Sequence, residues 1–235
     1  MELKNSFNVL FDALKKLNDF DWNKILDSFM NLPDKIQKAT EKWTEYGWVP
    51  YLPEYNGLDI IENIIVPETQ EDADKAMKDK IDSITFAKLI DEIKSYAKNL
   101  GQNEESVEES IKCYEAGLYS ACALLTFSLI DSSLIIGQPT KGNSRRKLAN
   151  KAVADAIDDD KTKYSLIAHS TKRIIENLFE NSNDFSIENG LNRNMLAHGM
   201  NKYNPNEIDC LKLYVLLYNI YLLFDVEYFS WNTNP

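Results

Sequence analysis

Residues 192–200 read NRNMLAHGM. The chain contains two histidines, and one of them, His198, stands in this polar turn with an arginine close by. Those two side-chain types suit work on a phosphodiester. An imidazole titrates near neutral pH and can take the proton of a ribose 2′-hydroxyl. A guanidinium can grip phosphate with two parallel hydrogen bonds and offset the extra charge of the transition state. No metal is needed when the 2′-hydroxyl is itself the nucleophile. On a helix, Arg193 and His198 lie about 140° apart and border one face, whereas Asn194 and His198, four apart, share a face. Asn194 is thus placed to orient the phosphate or the imidazole, with Met195, Leu196 and Ala197 supplying the buried side. The competing reading is a plain polar helix end in which His198 bonds a backbone carbonyl, and spacing alone does not separate the two.

Such a pair needs a frame, and the chain reads as all-α. Phe7, Leu10, Phe11, Leu14 and Leu17 form a helical stripe from Leu3 onward, and a second pattern runs from Trp22 to Trp43 with a break near Pro33. Residues 45–57 hold two prolines and two glycines beside Trp48, Tyr51, Leu52 and Tyr55, which predicts an ordered loop packed onto helices. Strand-like alternation is confined to 58–66. Helical periodicity resumes from Thr69 to Leu100, with Gly101 as a stop. Glu104 to Gly137 predicts one long helix or two joined by a kink at Gly117. Shorter amphipathic helices follow at Arg145–Ile157 and Lys163–Phe179, then a short one at Gly190–His198 ended by Gly199. The last helix is expected to start with Asn204 as cap, Pro205 in the first turn and Glu207 completing a capping box. Its run from Ile208 to Phe224 is apolar on most faces, more than one bundle needs, so the expectation is burial against the helix around Ala121–Ile136 and pairing with a second copy.

Asp131 is the one residue charged at neutral pH in the apolar stretch Ala116–Gly137. A carboxylate there must find a partner. Arg193 and His198 are candidates, and a bond to a nearby Ser or Tyr is the alternative. The same residue argues against a membrane span, since an Asp at the centre of one costs ~3 kcal/mol.

The totals bound the rest. With 235 residues the chain is long enough for one large domain or two small ones. No charged leader runs into an apolar segment, and Cys113, Cys122 and Cys210 are too few and too scattered for a disulfide scaffold, so a reducing cytoplasm is expected. No metal-ligand spacing and no phosphate-loop spacing occur, so neither a metal nor a cofactor is expected. The net charge of −11 disfavours a general nucleic-acid coat, but it is unevenly spread. Residues 1–110 carry 23 acids against 13 bases, whereas 141–173 carry nine bases against four acids. Arg145, Arg146, Lys147 and Lys202 are candidate contacts to an RNA backbone, a solvated face being the alternative. His169 sits in an ordinary amphipathic pattern.

The run Arg193-Asn194-Met195-Leu196-Ala197-His198-Gly199 resembles the signature of the HEPN superfamily, an Arg, four to six variable residues and a His. Tyr119, Ala121 and Asp131 resemble the aromatic, small and acidic residues of that superfamily's upstream helix, and Ile208–Phe224 its long apolar helix. The resemblance covers roughly 104–228. It implies a HEPN-like helical bundle over 104–235; residues 1–103, read from their own pattern as an acidic helical region with an aromatic and proline-rich loop, carry no part of the resemblance. It further implies a homodimer whose two motifs share a cleft, and a metal-independent endoribonuclease of toxin or phage-defence (abortive infection) type, with RNA as substrate and a regulatory protein as a further partner. The alternative within the resemblance is a catalytically inactive dimerisation or RNA-binding module; outside it, a helical protein whose pair is incidental. Met200 stands where some toxins of the superfamily carry a modifiable tyrosine, with Tyr203 out of register.

Overall fold

The computed structural model describes residues 32–53, 66–136, 165–179, 190–199 and 202–224; within these, the side chains of 32–37, 136, 165–169 and 224 are left aside. All regular structure among the described residues is helical: α1 (Leu32–Glu45), α2 (Gln70–Lys80), α3 (Ser83–Asn99), α4 (Glu104–Glu115), α5 (Tyr119–Ile136), α6 (Ser165–Leu178), α7 (Arg193–Ala197) and α8 (Glu207–Phe224). The expected helices before Pro33, the strand-like 58–65 and the helix at 145–157 lie outside the described residues. The chain divides into two compact units, Met1–Lys38 and Ala39–Pro235. Within Ala39–Pro235, residues from both sides of the expected 103/104 boundary share one core.

Local chemistry sets the breaks. Thr69 caps α2, its Oγ1 accepting from the Asp72 amide at 3.1 Å while donating to Asp72 Oδ2 at 2.7 Å. The 69–100 pattern is two helices because Asp82 restarts it: its Oδ1 accepts from the amides of Ile84 (3.1 Å) and Thr85 (2.8 Å). The Glu104–Gly137 pattern likewise divides. Gly117 takes φ +71°, which a side chain would strain, and the amides of Gly117 and Leu118 close back onto Tyr114 (3.0 Å) and Cys113 (2.8 Å). The expected kink is therefore a helix–helix hairpin, and α4 and α5 pack together along it.

α8 is the centre. It packs on α3, α5 and α6, and its residues from Cys210 to Tyr221 are buried apart from Lys212. Its start differs from the expected one. Asn206, not Asn204, is the cap: its Oδ1 accepts from the amides of Ile208 (2.8 Å) and Asp209 (3.2 Å), and Asp209 Oδ2 accepts the Asn206 amide at 2.9 Å. Glu207 is drawn elsewhere, to Lys78 Nζ at 2.6 Å and the Tyr114 hydroxyl at 3.3 Å. Over Cys210–Tyr221 the apolar faces of α8 are thus covered within one chain. Among the described residues four large apolar side chains are left exposed, Ile84 (63%), Leu118 (59%), Val66 (48%) and Leu124 (44%), and Leu118 and Leu124 of these stand at the front of α5.

Aromatic residues fill the seams between these helices. Phe86, Tyr114 and Tyr214 cluster with ring centroids 5.2–6.0 Å apart, and Tyr96 lies 6.1 Å from Tyr221. Buried phenols need partners. Tyr221 donates to Gln102 Oε1, and Tyr214 lies 2.9 Å from Ser110 Oγ. The 45–53 loop is an ordered plug. Trp48 is fully buried, with Nε1 donating to Asp74 Oδ1 at 2.8 Å.

Candidate functional site

α7 follows from one cap and one stop. Asn192 Oδ1 accepts the Met195 amide at 3.1 Å; Gly199, at φ +65°, turns the chain out of the helix, its amide bonding the Leu196 carbonyl at 3.1 Å. The helix is thus Arg193–Ala197, with His198 at its C-cap, inside the expected 190–198. Met195 is buried, and α7 rests on α5.

That contact carries the polar centre. Arg193 Nε donates to Asp131 Oδ2 at 2.9 Å, and Nη2 donates to the same oxygen. Nη1 donates to Asn194 Oδ1 at 3.0 Å. Asp131 therefore chooses Arg193 among its candidate partners. It is half-buried, 22% exposed, rather than sunk in the core, and Arg193 is 34% exposed. These bonds use three of the five N–H donors of the guanidinium, which stays one-third exposed. His198 is exposed at the C-cap of α7, five residues after this fixed arginine.

No known protein family, curated protein or solved structure matches the chain.

The other expected residues fall as follows. Lys202 is exposed; Arg145, Arg146 and Lys147 lie outside the described residues, as does the side chain of His169 within α6. Tyr119 opens α5, packed on Tyr114 with ring centroids 6.1 Å apart, and Ala121 is exposed. Met200 lies outside the described residues. Tyr203 is committed to the α8 cap: its hydroxyl donates to Asp209 Oδ2 at 2.8 Å and accepts from Asn206 Nδ2 at 3.1 Å. Burial and that carboxylate push its pKa up to about 12. Trp48 is buried and has no face to offer a base.

No helix among the described residues is long and apolar enough to cross a membrane. Among the same residues, no group of three or more His, Cys, Asp or Glu is arranged to hold a metal ion.

Sequence reasoning missed a second polar group inside the core. Ser110 Oγ lies 2.8 Å from Thr126 Oγ1, 2.9 Å from Tyr214 Oη and 3.7 Å from Cys122 Sγ, which is itself 3.3 Å from Tyr214 Oη. Three helices contribute to it, and the hint in the sequence was only Ser110 and Thr126 falling on apolar stripes.

Proposed function

We propose that the protein is a metal-independent endoribonuclease of the HEPN-like kind, with Arg193 and His198 as catalytic residues and Asp131 and Asn194 as positioning residues. The reading rests chiefly on one observation: an acid from α5 fixes the motif arginine at the start of a short helix that ends at an exposed histidine. In the reaction, His198 takes the proton from a 2′-hydroxyl as that oxygen attacks the adjacent phosphorus. The exposed part of the Arg193 guanidinium holds the non-bridging oxygens as charge builds on them. The bond to the 5′-oxygen breaks, that oxygen takes up a proton, and a 2′,3′-cyclic phosphate remains. Incubating the purified chain with single-stranded and transfer RNA in EDTA tests this. Cleavage to cyclic-phosphate ends is the expected result; intact RNA at catalytic protein concentrations overturns it. The neutralisation of Arg193 by Asp131 favours a second reading, a silent RNA-binding module, which predicts retention of RNA without cleavage.

If Asp131 acts by orienting Arg193, then Asp131→Asn keeps the shape and removes the charge. Turnover is expected to fall roughly 10–100-fold, by analogy with other outer partners of a functional side chain, while RNA affinity changes by much less. Single-turnover cleavage beside a binding titration measures both. Full turnover with a lowered Tm makes Asp131 a structural anchor only.

The chain is further proposed to act as a homodimer, paired through the front of α5 and not through α8. That face presents Leu118, Ala121, Leu124 and Ser128, without a charge to repel its own copy, and leads along the helix to Asp131. Light scattering at micromolar concentration should give twice the chain mass of 27.0 kDa, and Leu124→Glu should give one. A parent chain that stays monomeric across that range excludes the pairing.

A further inference from the structure

Cys122 and Cys210 occupy matching places, each the fourth residue of its helix, on α5 and α8. Both are fully buried. Their contacts are reciprocal. The Cys210 thiol donates to the Tyr119 carbonyl at 3.5 Å, one turn before Cys122, and Cys122 Sγ lies 3.3 Å from the hydroxyl of Tyr214, one turn after Cys210. Each thiol therefore lies against the helical turn that carries the other. We propose that Cys122 and Cys210 form a reversible disulfide that, under a small oxidant, ties the start of α5 to the start of α8. The inference is independent of the ribonuclease reading.

The surroundings say which sulfur reacts first. The neighbouring Cys210, together with the Tyr214 and Ser110 hydroxyls 3.3 and 3.7 Å from its sulfur, lowers the pKa of the Cys122 thiol against the opposing effect of burial, whereas Cys122 and burial push that of Cys210 up. A polar nest in an apolar core thus supports a thiolate at Cys122, and the thiolate is the nucleophile. With both groups buried, the oxidant must be water-sized, and hydrogen peroxide is of that class. The Cys122 thiolate attacks one peroxide oxygen, the O–O bond breaks, and the hydroxide released takes up a proton to leave as water. Cys210 then attacks the resulting sulfenic sulfur, the S–O bond breaks, and the second hydroxide leaves as water with the Cys210 proton. Two thiols and one peroxide become one disulfide and two waters. The closed loop contains Asp131, Arg193, Asn194 and His198, so the bond restrains the unfolded chain over the whole stretch that carries the candidate site.

The experiment treats the full, pre-reduced chain with hydrogen peroxide, alkylates it after denaturation, and digests it for mass spectrometry. The expected result is a 122–210 linked peptide pair lighter by two hydrogens, with Cys113 still alkylated and the link reversed by dithiothreitol. Oxidation should also raise Tm by roughly 5–10 °C, an increase absent in Cys210→Ala and in Cys122→Ser, the latter keeping a hydroxyl for Tyr214. Recovery of both residues as alkylated thiols, oxidation of Cys122 to sulfinate without a link, or links through Cys113 each overturn the proposal.

Discussion

His198→Ala is expected to lower RNA cleavage by ~10²–10⁴-fold, the usual reach of a general base, and to leave Tm within about 2 °C of the parent. The two halves have separate causes. The imidazole is exposed and lies past the last residue of α7, and that helix end is fixed by backbone bonds from His198 and Gly199 to Asn194 and Leu196, which alanine retains. Its removal therefore takes away a proton acceptor and little packing. Arg193→Ala is the less clean variant. It strips the half-buried Asp131 of its counter-charge, so lost turnover would be mixed with a disturbed α5–α7 contact. Gel analysis of product ends in EDTA, with a melting curve on the same sample, measures both halves. Cleavage by His198→Ala at the parent rate removes this residue from the chemistry.

Trp48→Ala should cost about 3–5 kcal/mol, the range for emptying a large aromatic site, read as a Tm lower by roughly 6–20 °C. The indole is fully buried and belongs to a network. Asp74 Oδ1 accepts from its Nε1, from Gln70 Nε2 at 2.9 Å and from Lys212 Nζ at 2.8 Å, and that ammonium also lies 5.3 Å from the indole centroid. Truncation leaves a cavity and loosens the tie between α2, α8 and the loop. Trp48→Phe keeps most of the volume and loses the N–H, so it should fall between parent and alanine. Chemical denaturation of the three chains decides, and equal midpoints would show that the loop does not hold the helices together.

The helices were legible where two local signals agreed. The stripe through Leu89 and Ile93 and the stop at Gly101 marked a helix there, though not the Asp82 cap that starts it. The Asp131–Arg193 pair was legible in outline because a lone acid in an apolar helix has few ways to be satisfied. Which base it would meet was not, since the two residues are 62 apart and only docking of α7 on α5 selects between Arg193 and His198. The start of α8 shows the limit well. Asn204 and Asn206 are both good caps, and the choice is made by Lys78 and Tyr114, which pull Glu207 out of the box that would have suited Asn204. The Trp48–Asp74–Lys212 network and the cysteine pair had no local signature. Their members come from distant parts of the chain, and each reads alone as an ordinary core or surface residue.

α7 spans five residues. A single turn of helix does not survive in isolation, because fixing its first dihedrals outweighs the few bonds it closes. It persists here through Met195 in the core, the Asn192 cap and the ion pair to α5. Its opening therefore requires far less free energy than unfolding of α5 or α8 beneath it. Hydrogen exchange at the amides of 195–199 should report a shallow, sub-global opening while the bundle stays protected. On warming, the orientation of Arg193 and His198 would be lost well before the bundle melts, so the chain has a thermal ceiling for its site that its stability curve does not reveal.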